Sequence, residues 1–335
     1  MNNGLRSVWR RSCVTRVLLL LLATTLSPAM AQTVSGDTTW PSKPIRIIVP
    51  YSPGGGTDVA ARLVAQKLQD SLKQTVIVDN RPGGKSIIAY EALLRETPDG
   101  YTFLFNNSSH GIQAAYKKLP YDVLADFAPV SPIANSSVVF AVSPNSPAKT
   151  LPEFLSYVRE NPGKVAFGSF GAGTSSHLYG EILNLAAGID MLHVAYKGSA
   201  PALSDLMGGH VQALFVDAIS AKPLAESGKI RALAITGTQR WKAYPNLPTF
   251  GELGYKELGT PGWWGFLASK KVPLRIVERM AGEIHKVVAM PEVAAKLGEI
   301  GAEAHSDTPA NFALTVQADV ARWKKIVWDR NLSID

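Results

Sequence analysis

The sequence predicts an α/β fold in two lobes. Short β-branched runs alternate with amphipathic stretches, the alternation begins again near residue 138, and residues 32–335 are more than one core ordinarily holds. The first run, Ile45-Arg46-Ile47-Ile48-Val49, lies between Pro44 and Pro50 and reads as a buried strand. Behind it Val59, Leu63, Val64, Leu68 and Leu72 recur at helical spacing and give a helix over 58–72. A strand over 75–78, a helix over 86–95 and a strand over 101–105 follow, the last closed by the polar stretch 106–110. The second unit has strands over 138–142, 165–168, 192–194, 213–216 and 232–235, with helices over 151–159, 175–187 and 200–207. The Pro- and Gly-rich region 241–262 reads as a connection. A strand over 264–268 and helices over 274–289, 292–300 and 311–329 end the chain. This alternation predicts mainly parallel sheets covered on both faces. If the terminal helices return to the first sheet, two crossings join the lobes, and the loops leaving the carboxyl ends of the strands meet in the cleft.

The segment ahead of the first strand predicts export. Arg6, Arg10, Arg11 and Arg16 precede the apolar run 17–23, and Ala29-Met30-Ala31 supplies a small-x-small cleavage site. Residues 1–31 therefore read as a signal peptide removed on export to the periplasm. The apolar run is shorter than the ~20 residues a membrane span needs. The pair Arg10-Arg11 leaves the choice between general and twin-arginine export open. Four of the 34 Lys and Arg residues leave with the peptide and none of the 27 acidic ones, so the net charge of +7 falls to +3. No Lys/Arg block remains to neutralise a row of phosphates, which argues against a nucleic-acid partner. Cys13, the only cysteine, leaves too, so the processed chain has no disulfide, thiol nucleophile or Cys metal ligand.

Two glycine-rich loops carry the candidate chemistry. Strand 45–49 runs through Pro53-Gly54-Gly55-Gly56-Thr57-Asp58 directly into a helix. Glycines let the backbone approach a ligand closely, and the first N–H groups of a helix lack intrahelical partners and favour an anion. Thr57 or Asp58 could equally cap that helix. Strand 165–168 repeats the device, running through Ser169-Phe170-Gly171-Ala172-Gly173-Thr174-Ser175-Ser176-His177. Two facing helix N-termini form a polar clamp suited to a carboxylate without a buried Arg. His177 either donates to a ligand or packs within the fold. Asp217, behind Leu214-Phe215-Val216, either meets a ligand amine or hydroxyl or caps the next segment. Trp263 and Trp264 are adjacent in a strand and point to opposite faces, so one is expected in the core and the other at the cleft.

Other chemistries fail on spacing. Pro82-Gly83-Gly84-Lys85-Ser86 looks like the end of a phosphate loop, but Asp79 holds the first glycine position. The third glycine of a dinucleotide fingerprint would be Val59 in one loop and Ser176 in the other. Ser169 has Phe167 where a nucleophile elbow needs glycine. The histidines, His110, His177, His193, His210, His285 and His305, show no metal-ligand spacing. No cofactor or metal is expected.

The stretches WPSKPIRIIVPYSPGGGTDVAARLVAQKL (40–68), VDNRPGG (78–84), PDGYTFLF (98–105), LPYDVLADFAPVSPIA (119–134), FGSFGAGTSSHL (167–178), VAYKGSAPALSDLMGGHVQALFVD (194–217), GKIRALAITG (228–237) and LPTFGELG (247–254) occur in one order. Together they resemble the Bug family of periplasmic solute-binding proteins, the receptors of tripartite tricarboxylate transporters. The resemblance implies a type 2-like periplasmic binding fold with lobes 42–136 plus 264–335 and 137–263. It implies a monomer without catalytic activity that hands a small carboxylate (a dicarboxylate, amino acid or aromatic acid) to membrane transporter subunits. Ligand contacts carry over to Gly55, Thr57 and Asp58 in the first loop and Thr174, Ser175 and His177 in the second, with Ser108, Ser109 and Asp217 as further contacts. The chain departs from relatives at Tyr51-Ser52, where Phe and Pro or Ala are common, and at Lys85-Ser86, where Gly-Asn is usual. Those departures fall at the specificity-setting end of the pocket. Two rival functions are a sensor that presents the acid to a membrane histidine kinase and a periplasmic hydrolase built on Ser169, Ser175, His177 and Asp217.

Overall fold

The chain winds through two mixed sheets that share one strand order. The computed structural model describes residues 40–332, and those from Pro41 onward form one compact unit. β1 (Ile45–Val49) is almost wholly buried, with helices packed on it from both sides of the chain connection. It leads through the first glycine loop into α1 (Gly56–Leu72). β2 (Val76–Asn80), a 3₁₀ turn (Gly84–Ser86), α2 (Ile87–Arg95) and β3 (Thr102–Asn107) follow, with β1 central in a parallel trio. The short α3 (Ser109–Gln113) and β4 (Phe127–Ser136) end this part. Only Ser137 separates β4 from β5 (Val138–Val142), which belongs to the second sheet. That lobe continues through α4 (Leu151–Glu160), β6 (Ala166–Ser169), α5 (Ser175–Ala187), β7 (Leu192–Ala195), α6 (Ser199–Gly208), β8 (Ala213–Asp217), α7 (Ala218–Glu226) and β9 (Arg231–Ile235). β10 (Gly262–Ser269) then returns to the first sheet, and α8 (Leu274–Val288), α9 (Pro291–Glu299), β11 (Glu303–Ala304) and α10 (Pro309–Asp329) finish the chain.

The first sheet runs β2-β1-β3-β10-β4-β11 and the second β7-β6-β8-β5-β9. In each, the strand that arrives from the other lobe, β10 or β5, is inserted antiparallel between the third and fourth strands of the local series. Both sheets thus place the carboxyl ends of their parallel strands on the side where the lobes meet.

The sequence reading has no strand over 127–136, where the structure has β4, a strand whose Pro129 and Pro132 cannot donate to a ladder. β4 accommodates them through two register slips against β10, between Trp264 and Gly265 and between Phe266 and Leu267. α7 escapes the pattern because it starts directly behind β8 and holds Pro223. Of the paired tryptophans, Trp263 packs in the core with Phe312 and Val316, and Trp264 stands opposite Asn107 of β3. The leader expected over 1–31 lies outside the described residues. Among the described residues, no helix is long and apolar enough to cross a membrane.

The terminal helix does return to the first sheet. Phe312, Val316 and Val320 of α10 share an apolar cluster with Tyr90, Phe127 and Trp263. The buried Asp319 accepts Trp263 Nε1–H at 2.7 Å and Arg322 Nη2–H at 2.9 Å. Asp319→Ala would leave both donors beneath the helix without that carboxylate. Urea unfolding is expected to show a loss of about 3 kcal/mol, and Asp319→Asn, which keeps one acceptor, a smaller one.

Candidate functional site

The two glycine loops leave the carboxyl ends of β1 and β6 and meet where the lobes touch. Gly54, at a φ of +83°, turns the chain so that Gly55 stands at the N-cap of α1 with extended backbone. No side chain of that loop caps the helix. Asp58 instead reaches back to accept the N–H of Gly54 (2.9 Å), Arg62 Nε (3.0 Å) and Asn80 Nδ2 (2.9 Å). Burial by itself would raise this carboxyl, but those donors outweigh it and hold it below the usual carboxylate range. Asp58 is thereby spent on stiffening the loop.

The second loop is stiffened differently. Thr174 stands at the N-cap of α5 without capping it, and its hydroxyl donates to the Gly171 carbonyl at 2.6 Å. His177 Nδ1 accepts the Gly173 N–H at 3.1 Å, and its ring stacks on His193 at 3.8 Å. An accepting Nδ1 carries no proton. Burial, and then the neighbouring His177, push His193 down to about 3, and its Nε2 lies 2.7 Å from Ser169 Oγ.

What caps each helix comes from the other lobe. Asp217, at the end of β8, accepts the N–H of Gly56, the first residue of α1, and the hydroxyl of Ser199 at 2.6 Å. Ser109, at the start of α3, accepts the N–H of Ser175, the first residue of α5, at 3.0 Å, with the two hydroxyls 3.3 Å apart. The Ser52 N–H donates to the Lys197 carbonyl at 2.8 Å and the Tyr116 hydroxyl to the Gly173 carbonyl at 3.0 Å. The lobes are therefore closed on each other. Asn107 ties the centre together: its Nδ2 donates to Thr57 Oγ1 (3.3 Å), and its Oδ1 accepts from the Ser109 N–H (2.9 Å) and the Tyr51 hydroxyl (3.4 Å). Gly55 lies against the backbone of Ser199. Ser108 stands behind, its N–H on the Trp263 carbonyl and its hydroxyl beside Gly262.

Of the residues singled out from the sequence, Thr57, Ser109, Ser175 and Asp217 are brought together at this junction. Asp58, Thr174 and His177 buttress the loops, and Ser108 backs Ser109. Asn107, Tyr116 and Ser199 escape sequence reasoning. Asn107 carried a usable signal: it is polar and sits at the carboxyl end of a central parallel strand, where ligands of open α/β sheets bind. Ser199 and Tyr116 act on the opposite lobe's loops or on a distant strand end, and local sequence holds no trace of that.

A cavity of about 220 Å³ opens beside the junction, between Tyr51 and the 83–86 turn on one side and residues 170–174 and 195–197 on the other. A larger one, about 1030 Å³, runs along 270–285 and 306–313 of the first lobe and includes none of the glycine-loop residues. The smaller is the candidate site because polar groups from two lobes converge beside it. Its rim is strained. Gly83, Gly84, Lys85 and Ser86 follow one another at φ of +106°, +55°, +54° and +71°. For the two non-glycine residues that backbone costs roughly 1–2 kcal/mol each. Among the described residues, no three His, Cys, Asp or Glu side chains converge as metal ligands.

Residues 60–332 match the family described as Tripartite tricarboxylate transporter family receptor, TctC. The chain belongs to the TctC receptor family. This TctC chain is 33% identical to BugT of Bordetella pertussis over 317 residues, 94% of this chain and 97% of BugT. Among solved structures, an R. palustris protein with adipate is 32% identical with a TM-score of 0.84, over 88% of this chain and 99% of that one. MatC from Rhodopseudomonas palustris with bound malate is 28% identical with a TM-score of 0.82, over 86% and 99%. The two-sheet architecture of this TctC receptor is that of the periplasmic binding proteins, as the Bug resemblance implied.

Two consequences are measurable. A Cβ at Gly56 would lie 2.2 Å from Ile219 Cγ2 and 2.7 Å from Asp217 Cβ. Gly56→Ala is therefore expected to leave the fold intact, since Ala favours helix, while holding the lobes apart; small-angle scattering should report a larger radius of gyration than for the parent chain. The second concerns Asp217, whose carboxyl burial pushes up to about 6 against the opposing bonds from Ser199 and Gly56. A carboxyl raised above its unfolded value of 3.8 binds its proton more firmly in the native state. Its contribution to stability is full below about pH 4 and is lost as pH rises through about 6, by at most about 3 kcal/mol. Asp217→Asn should remove that dependence, so unfolding free energies of parent and variant should diverge between pH 4 and pH 7 in the variant's favour.

Proposed function

We propose that this TctC receptor is an exported, non-catalytic binding protein that captures a small organic carboxylate between its lobes and presents it to the membrane subunits of a tripartite transporter. The lobes move as 42–136 plus 264–335 and 137–263, hinged at the two crossings, and the working form is a monomer without residues 1–31. The observation that carries this reading is the pair of helix N-termini, each capped across the cleft by a side chain of the other lobe. A ligand carboxylate placed between α1 and α5 meets the hydroxyls of Thr57, Ser109 and Ser175 and the N–H of Gly55 at the N-cap of α1. Helix N-termini and hydroxyls stabilise such an anion without a buried cation. Asp58, His177 and Ser108 keep these donors in place, and Asp217 ties α1 to the second lobe.

The adipate and malate in the two solved relatives support an acid as the ligand. A hydrolase finds no support in the geometry. Asp217 is held by Ser199 and Gly56, His177 Nδ1 is occupied by Gly173, and Ser169, which does touch His193, is fully buried.

A thermal-shift and calorimetric screen of small carboxylates, neutral sugars and metal ions tests this. An acid at about 100 times its dissociation constant should add roughly 2.7 kcal/mol of stability, and Ser109→Ala should weaken its binding. A shift by sugars or metal ions with none by any acid would refute the proposal.

A further inference from the structure

α10 is shared between the lobes. At 21 residues it is about 31 Å long, and its first three turns pack within the first lobe through Phe312, Val316 and Val320. Its last turns meet the second lobe. The ring of Trp323, fully buried, stands 5.6 Å from the ring of Tyr179 on α5, and Arg330 is ion-paired with Glu257 of the connection that precedes β10. The ion pair is solvent-exposed on both sides and does little to hold two bodies together. The buried rings make the firmer contact.

Each ring is fixed in its own lobe. Asp319, one turn before Trp323, accepts from Trp263 of β10 and from Arg322, whose guanidinium carbon lies 4.7 Å from the centre of the Trp323 ring. Tyr179 is 1% exposed, and its ring also meets Phe215 of β8 at 6.1 Å. Both ends of the bond between Ser109 and Ser175 lead back to this pair. Tyr179 lies four residues beyond Ser175, on the same face of α5. Ser109 opens α3, whose Gly111 is seated so closely on α10 that a Cβ there would come 3.1 Å from Asp319 Cβ and 3.2 Å from the Val320 nitrogen.

We propose that Trp323, braced by Arg322 and Asp319, is a positioning residue for closure: through Tyr179 it fixes how near α5 comes to α3, and with that the separation of Ser175 and Ser109 across the cleft. The inference rests on the two-lobe receptor reading above and is independent of what the ligand is. A close-packed ring sets the spacing of the elements on either side because packed interiors hardly compress. A smaller side chain leaves a cavity or lets them shift, and a hydrogen bond tolerates only a few tenths of an ångström of such movement.

The test measures closure in the ligand-free chain, by small-angle scattering and by exchange of the Ser175 amide, in Trp323→Leu, Trp323→Phe, Tyr179→Leu and the double variant with both leucines. Gly56→Ala serves as the opened reference. Leucine at either position removes the ring contact. It should raise the radius of gyration towards that of Gly56→Ala and speed exchange at Ser175 about tenfold or more, while Leu214 in the core of the second sheet keeps its protection. Trp323→Phe keeps a ring against Tyr179 and should stay at parent values. The double variant should go no further than the larger single effect, because both changes remove one contact. Tyr179→Leu probes that contact from the other lobe should Trp323→Leu fold poorly. A parent-like radius and Ser175 exchange in both leucine variants, or single effects that add in the double variant, overturn the proposal. Equal loss of protection at Leu214 and Ser175 overturns it too, by assigning Trp323 to stability alone. If Gly56→Ala also leaves the radius unchanged, the lobes do not hinge, and the receptor reading fails with this inference.

Discussion

The site depends on one constraint: neither helix that faces the junction caps itself, α1 because it opens on Gly55 and Gly56, and α5 because the Thr174 hydroxyl turns to the Gly171 carbonyl. α1 and α5 each start behind a loop whose residues let the backbone approach closely but give no side-chain acceptor to the first turn. The free N–H groups must find acceptors elsewhere, because leaving them dry and unpaired is costly. In the closed protein Asp217 serves α1 and Ser109 serves α5, each from the opposite lobe. Closure and the satisfaction of these helix ends are thus one event.

Charge is distributed so that the junction stays polar without becoming strongly charged. Asp58 is the carboxylate nearest the first loop, yet Arg62, Asn80 and the Gly54 N–H turn it away from the cleft. His177 and His193 support the second loop as a stacked pair, with His193 held neutral by burial. Asp217 is the exception, since its bonds to Ser199 and Gly56 only partly offset burial. The remaining formal charges at the cavity, Lys85 and Lys197, lie away from the helix ends.

Much of this fold is legible in the chain. β1 and β5 have the expected bounds because each is a β-branched run with clear stops, and α5 does because a glycine loop opens it and Gly188 closes it in the left-handed region. β4 and α7 are illegible for a shared reason. Each contains proline, and its place is decided by a partner strand or an adjoining sheet rather than by its own propensity.

Local sequence by itself determined where the glycine loops lie, that a helix follows each, and that the loops belong to separate α/β units, because these are properties of neighbouring residues. Only the tertiary structure decided what faces those helix ends. Ser109 and Ser175 are 66 residues apart, and Asp217 ends a strand of the second sheet whereas Gly56 opens the helix that follows β1 of the first. The two crossings bring them within hydrogen-bond distance, and no periodicity or propensity in the chain encodes a contact made by two rigid lobes closing on each other.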